Sequence, residues 1–201
     1  MAAEITLIDV VLAGSAAVTA WAAFTGASTW RAQLEGTAEF ETARTLIRAA
    51  IKLRNEMFFC RRPLIRGNEF PAGYDPMGNP TVDEVFTAWA HVYDKRFQSV
   101  SEAWVTFEEA TIEAQALWGD AAKGTCEDLI KCAVELRVGI ESFLEDKRAG
   151  GRNFDDDKNF GKKIRAVVSG TEGDDSPLTL RTKEAMDSIE ELARKHLKRN
   201  Y

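Results

Sequence analysis

Histidine, cysteine and proline are scarce: two, three and five among 201 residues. Each scarcity excludes a class of chemistry. A di-iron bundle needs Glu-x-x-His pairs on facing helices, but Ala88 and Ala193 stand three positions before His91 and His196. Cys60, Cys126 and Cys132 are odd in number and have no short paired spacing. That pattern fits neither a disulfide framework nor a zinc site and suits reduced thiols. Four of the five prolines crowd into residues 63–80, which leaves the rest of the chain open to long helices. Sustained period-two alternation is also missing, so the pattern is all-α.

Catalytic motifs are absent in the same way. Residues Gly119 to Thr125 look briefly like a phosphate loop, but they lack the lysine after the second glycine and follow a helix pattern instead of a strand. Asp155, Asp156 and Asp157 lack the central glycine and the twelfth-position glutamate of a calcium loop. No Gly-x-Ser-x-Gly elbow occurs. Glu109 and Glu113 share a helix face with no base or metal to pair with. The expectation is a protein that is not an enzyme and has no catalytic, cofactor or metal site. The net charge of −6 gives no reason to expect nucleic acid, and no small-molecule substrate is evident.

The last scarcity is of charge at one end. Asp9 is the only charge from Ile5 to Trp30, and none occurs from Val10 to Trp30. That run matches the ~20 residues a helix needs to cross a bilayer, although Ala, Gly, Ser and Thr make it only modestly apolar. Trp30 and Arg31 form an aromatic and basic border, and no basic residue precedes Arg31. The expectation is therefore a transmembrane helix in residues 1–30 of a bacterial inner membrane, single-pass, with a cytoplasmic body in residues 31–201. A cleaved signal peptide would need a basic leader, which is missing. A buried Ala-rich helix in a soluble protein is the competing structural reading. Small residues recur four apart, and Ala13, Gly14, Ala17 and Ala20 make a candidate helix-association seam, as do Ala22 and Gly26.

Beyond Arg31 the spacing predicts an antiparallel bundle of about four helices. Helical periodicity continues from the apolar run to about Cys60 with no breaker but Gly36, so span and first cytoplasmic helix form one rod. Its face of Arg44, Arg48 and Lys52 is a candidate interaction face, but interleaved acids favour a solvated face with helical ion pairs. Residues 63–80 form a strap over the bundle end, with Phe70 and Tyr74 as pinning contacts. Thr81 and Glu84 form a capping box opening a helix to Trp118. Its stripe is Val85, Trp89, Val92, Tyr93, Phe97, Val100, Trp104, Phe107, Thr111, Ala114 and Trp118. Gly119 ends it. Thr125 and Asp128 cap the next helix, whose buried face includes Leu129, Val134, Leu136 and Phe143. A short helix covers about 162–168. Ser176 and Pro177 open the last, with His196 in its final turn, where it can bond a terminal carbonyl.

Three segments carry a resemblance: TW-RAQLEG through LIRAAIKLRNEM to RRP, the ALWGDAA turn, and the closing SPL…SIEELARKHL helix. Together they resemble a loose group of bacterial and prophage proteins with one N-terminal span and a cytoplasmic helical body. The resemblance implies that topology. Its motifs are structural, so it carries over no active-site residue. The expected role is a membrane-anchored scaffold or protein-interaction module with lipid and a protein partner or a second copy as partners. The alternatives are a membrane-perturbing effector of phage lysis or defence, and a soluble helical protein with its first helix buried.

Overall fold

The computed structural model describes residues 7–197, with side chains from residue 19 onward except at 20, 28, 29, 32 and 35. Every extended element among them is a helix: α1 (Leu7–Cys60), α2 (Val82–Trp118), α3 (Asp120–Arg148), α4 (Arg152–Asp156), α5 (Lys158–Val168) and α6 (Pro177–Leu197), with a 3-10 turn at Gly67–Glu69. The C-terminal half of α1 packs against α2 and α6. Helix α3 closes the square from the opposite corner, and α5 lies outside α3. Contacts at both ends set the directions. Arg96 of α2 meets the end of α1 at Cys60, whereas His196 of α6 meets α1 far upstream at Glu39. Neighbouring helices are thus antiparallel around the bundle.

The core holds Leu46, Leu53 and Met57 of α1, Val92, Val100 and Phe107 of α2, Leu129 and Leu136 of α3, and Leu178 and Ile189 of α6, all fully buried. Buried alanines interleave with them, among them Ala50, Ala103, Ala114, Ala133 and Ala193. Their small side chains let the helix axes approach while the leucines fill the gaps between. The closest approach involves α3 and α5. A Cβ on Gly139 would come within 2.5 Å of the Val167 side chain, so only glycine lets these two helices touch there.

The helix ends follow their local chemistry. The Thr81–Glu84 capping box forms as expected, with Glu84 N–H on Thr81 Oγ1 and Thr81 N–H on Glu84 Oε2. Gly119 turns the chain at φ 79°, a conformation that favours glycine. This single residue separates two helices, so α3 begins at Asp120 and not at the expected Thr125 cap. Thr125 sits inside α3 with its hydroxyl on the Ala121 carbonyl. Val134, expected in the core, is exposed, while Cys126 and Cys132 are buried on the inner face.

Helix α1 runs without interruption for 54 residues, about 80 Å at the α-helical rise, so the expected continuous rod is present. Among the described residues, continuous burial on it begins at Glu39 and Phe40, with Thr25 alone partly buried upstream. Upstream, the helix stands clear of the bundle as a stalk. The expected transmembrane helix finds no counterpart here: among the described residues no helix is long and apolar enough to cross a membrane. The side chains of residues 5–18, a large share of the apolar run, lie outside those described.

Candidate interaction surface

Surface chemistry concentrates in three places: the stalk, the strap and the junction of stalk and bundle.

On the stalk, Trp21 is 69%, Phe24 75%, Trp30 64% and Leu34 55% exposed. Successive residues turn by ~100°, which places Phe24 about 60° from Trp21 and Trp30 about 180° from it. The apolar groups therefore point to opposite sides and do not form one stripe against the bundle. Hydroxyls on the stalk turn inward. Thr25 donates to the carbonyls of Trp21 and Ala22 at 3.0 and 3.1 Å, and Thr37 donates to that of Gln33 at 2.8 Å. Between Trp21 and Trp30 runs a shallow groove of about 400 Å³, with Ala22, Thr25 and Gly26 among its lining residues. The Ala22–Gly26 pair of the sequence reading thus lies in a groove. The proposed seam residues Ala13, Gly14, Ala17 and Ala20 lie outside the described side chains.

Arg44, Arg48 and Lys52 are all exposed on one side of α1 below the stalk. Arg44 lies 3.9 Å from Glu41, and the face is a solvated, mixed-charge one.

Helical periodicity does not reveal two buried arginines near the end of α1: Arg96 holds the strap, and Arg61 ties the end of α1 to α5 and α6. Arg96, 5% exposed, pairs through Nε with Glu69 Oε2 at 2.6 Å and through Nη2 with Oε1 at 3.0 Å. It also donates to the carbonyls of Cys60, Arg62 and Leu64. The Arg96 hydrogen bond is the main reason the Glu69 carboxyl is held below its usual range. Arg61, 1% exposed, donates to the carbonyls of Val167 and Ala166 and to the hydroxyls of Thr179 and Ser176. Burial pulls its guanidinium below the ordinary value, and nearby Asp174 opposes the shift. Burial alone would raise the Asp174 carboxyl. The hydroxyls of Thr179 and Ser176 and the backbone N–H groups of Thr171 and Ser176 outweigh it and hold the acid well below the ordinary range.

Phe70 and Tyr74 do pin the strap. Their rings lie 5.1 Å apart, and Phe70 sits edge-on to Trp89 at 5.8 Å. Trp89 continues into Tyr93 and Phe143. An open cleft of about 460 Å³ lies between strap and α2, bordered by Tyr74, Asp75, Asp83 and Glu84. Two of these carboxylates are already engaged locally. Asp75 accepts from the Met77 N–H, and Glu84 belongs to the capping box. Among the described residues no group of three or more potential ligands could hold a metal ion.

At the junction, the His196 ring stacks on Trp118 with centroids 4.1 Å apart and planes 9° from parallel. Its Nδ1 lies 3.3 Å from Glu39 Oε2. The histidine thus bridges α6 to α2 and α1, not to a terminal carbonyl as the sequence position suggests. The Trp118 Nε1–H is buried with no acceptor among the described residues.

These features define an all-α protein: an antiparallel helical bundle continued by one long helix. No protein-family model, curated protein or solved structure matches the chain.

Proposed function

We propose that the protein is an anchored helical interaction module, with residues 1–30 buried in a bilayer and the bundle displayed in the cytoplasm. The observation that carries this reading is the exposure of Trp21, Phe24, Trp30 and Leu34 around the stalk. Leaving such groups in water costs about 1.5–3 kcal/mol for each large apolar side chain, and none of the other described residues covers them. The uncharged run from Val10 to Trp30 extends the same surface by sequence. The hydroxyls bonded to their own helix suit a place without water. Trp30 and Arg31 would sit at the interface, and the absence of earlier basic residues directs the body to the cytoplasm.

Membranes washed with alkaline carbonate should retain the full-length chain. A C-terminal fluorescent-protein fusion should glow, and a C-terminal alkaline phosphatase fusion should be inactive. The opposite fusion pattern overturns the orientation.

A second reading has its own observation. No described helix is apolar enough to cross a membrane, which favours a stalk buried in a protein assembly, a second copy included. Recovery in the soluble fraction as an oligomer of defined mass by light scattering supports that reading and overturns the anchor.

A further inference from the structure

We propose that the bundle docks on a second copy of itself, the basic outer face of α5 on one copy meeting the acidic, partly apolar outer face of α2 on the next. The inference needs no decision about whether lipid or protein covers the stalk.

Helix α2 has two faces. One carries the core stripe. The other is the fully exposed row Gln98, Glu102, Val105, Glu109, Ile112 and Ala116, whose alternating spacing of four and three keeps it on one side of a helix. Val105 and Ile112, two turns apart, are 54% and 65% exposed. No lysine or arginine follows Arg96 on this helix, but four glutamates do: Glu102, Glu108, Glu109 and Glu113. Glu102 and Glu108 accept hydrogen bonds from Gln98 and Trp104. Glu109 and Glu113 have no cationic partner among the described residues. Apolar groups set among charges of one sign disfavour pairing of this face with itself, because like charges would meet. The same surface fits a basic helix.

The chain carries such a helix. Lys158, Lys162, Lys163 and Arg165 fall within the 11 residues of α5, with no acid among them. Gly161, Ile164 and Val168 face inward, and the four cations are exposed. Arg165 lies over the Phe154 ring at 5.1 Å. The three lysines have no carboxylate partner among the described residues. Phe160, 42% exposed, adds an apolar group beside Lys163. The acids nearest in sequence precede the helix: Asp157 caps it at the Phe160 N–H, and Asp155 and Asp156 end α4. Helix α5 and the stretch from Glu102 to Glu113 each span about 17 Å at the helical rise, so the two faces match in length. The Arg44, Arg48 and Lys52 face of α1 is the poorer match, because Glu41 stands 3.9 Å from Arg44.

The two faces belong to different helices, so one copy can receive on α2 while it offers α5. A head-to-tail contact of this kind builds a row of copies or a closed ring. Two short helices bury little area, which places the contact in the weak, transient class.

The test uses the full chain in mild detergent, with isotopically heavy and light chains mixed in equal amounts. A carbodiimide joins a lysine amine to a carboxylate in contact with it, and mass spectrometry maps the products. Heavy–light products linking Lys162 or Lys163 to Glu109 or Glu113 are expected, and about 0.5 M salt should suppress them. Two double variants, Lys162→Glu with Lys163→Glu and Glu109→Lys with Glu113→Lys, should each weaken salt-sensitive association by light scattering about five- to thirtyfold, the scale of a few exposed ion pairs. All four positions are exposed, so both variants should melt like the parent. Mixing the two variants should restore association, since each then presents the charge that the other lacks. Products confined to single-isotope pairs overturn the proposal, as does a mixture that associates no better than its components. Heavy–light products at Lys52 in place of α5 overturn it in favour of the α1 face. Assembly without any Lys162 or Lys163 product overturns it too, and leaves the stalk as the point of assembly.

Discussion

Arg61 shows how much can rest on one residue. Its four hydrogen bonds tie the end of α1 to the end of α5 and the start of α6. Arg61→Met would leave those carbonyls and hydroxyls buried without donors, at about 1–3 kcal/mol each for groups that find no water. The expected loss is about 3 kcal/mol or more, read as a lower urea midpoint. Gly139→Ala tests a different force. Alanine would gain about 1 kcal/mol of helix propensity, but its methyl would land on the stiff, branched Val167. Overpacking of this kind costs about 1–3 kcal/mol, so a net destabilisation is expected and a raised melting temperature would refute it. The buried Cys60 thiol is pushed up to about 12 by burial, against the pull of Arg96 and Arg61. It should resist thiol reagents at neutral pH until the protein unfolds. A pKa raised in the fold stabilises below the unfolded value and loses that contribution as pH rises. Tyr93, also pushed to about 12 by burial, adds in the same sense, so alkaline titration should unfold the bundle.

At the scale of the element, Phe107 and Trp104 on α2 separate what periodicity shows from what it does not. Phe107 is fully buried, whereas Trp104 is only half-buried and donates its indole N–H to Glu108 at 2.7 Å. Phe107→Ala should cost about 3–5 kcal/mol by the core scale, and Trp104→Ala clearly less; equal losses in urea melts would contradict this. The stripe of α2 was legible because apolar residues at helical spacing have one face to bury. The boundary of α3 was not, since Thr125 and Asp128 look like a cap although Gly119 alone makes the turn. Arg61 and Arg96 gave no sign either: an arginine is buried only when distant carbonyls and carboxylates converge on it, and no local spacing records that. The His196–Trp118–Glu39 contact joins three helices and was equally hidden. The stalk was visible as an uncharged run, yet the sequence alone did not say that the bundle leaves it uncovered. For the seam at Ala13, Gly14, Ala17 and Ala20, Ala17→Leu should weaken the signal of a span-only dimerisation assay if small residues set the approach of two helices. An unchanged signal removes that face as the point of association.

For the whole molecule, the end of the bundle around Asp174 answers to acid. Asp174 has its carboxyl held below the ordinary range. Its stabilising contribution is complete above the unfolded carboxylate value and is lost as pH falls through the lower folded one. Near-UV circular dichroism should therefore change as pH drops below about 4, and Asp174→Asn should flatten that acid limb. The far end, where α1 leaves the bundle, is built on a different principle. Helix α1 passes from stalk to core as one 54-residue helix with no proline inside it, and kinks in helices need a cause such as proline or an inserted group. The molecule is consequently a shaft keyed to its gear. A tilt or twist imposed on the first turns meets no proline before Glu39, so it is carried along one continuous helix to the bundle as torque. Whatever grips the outer half also sets the compass bearing of every surface on the inner half.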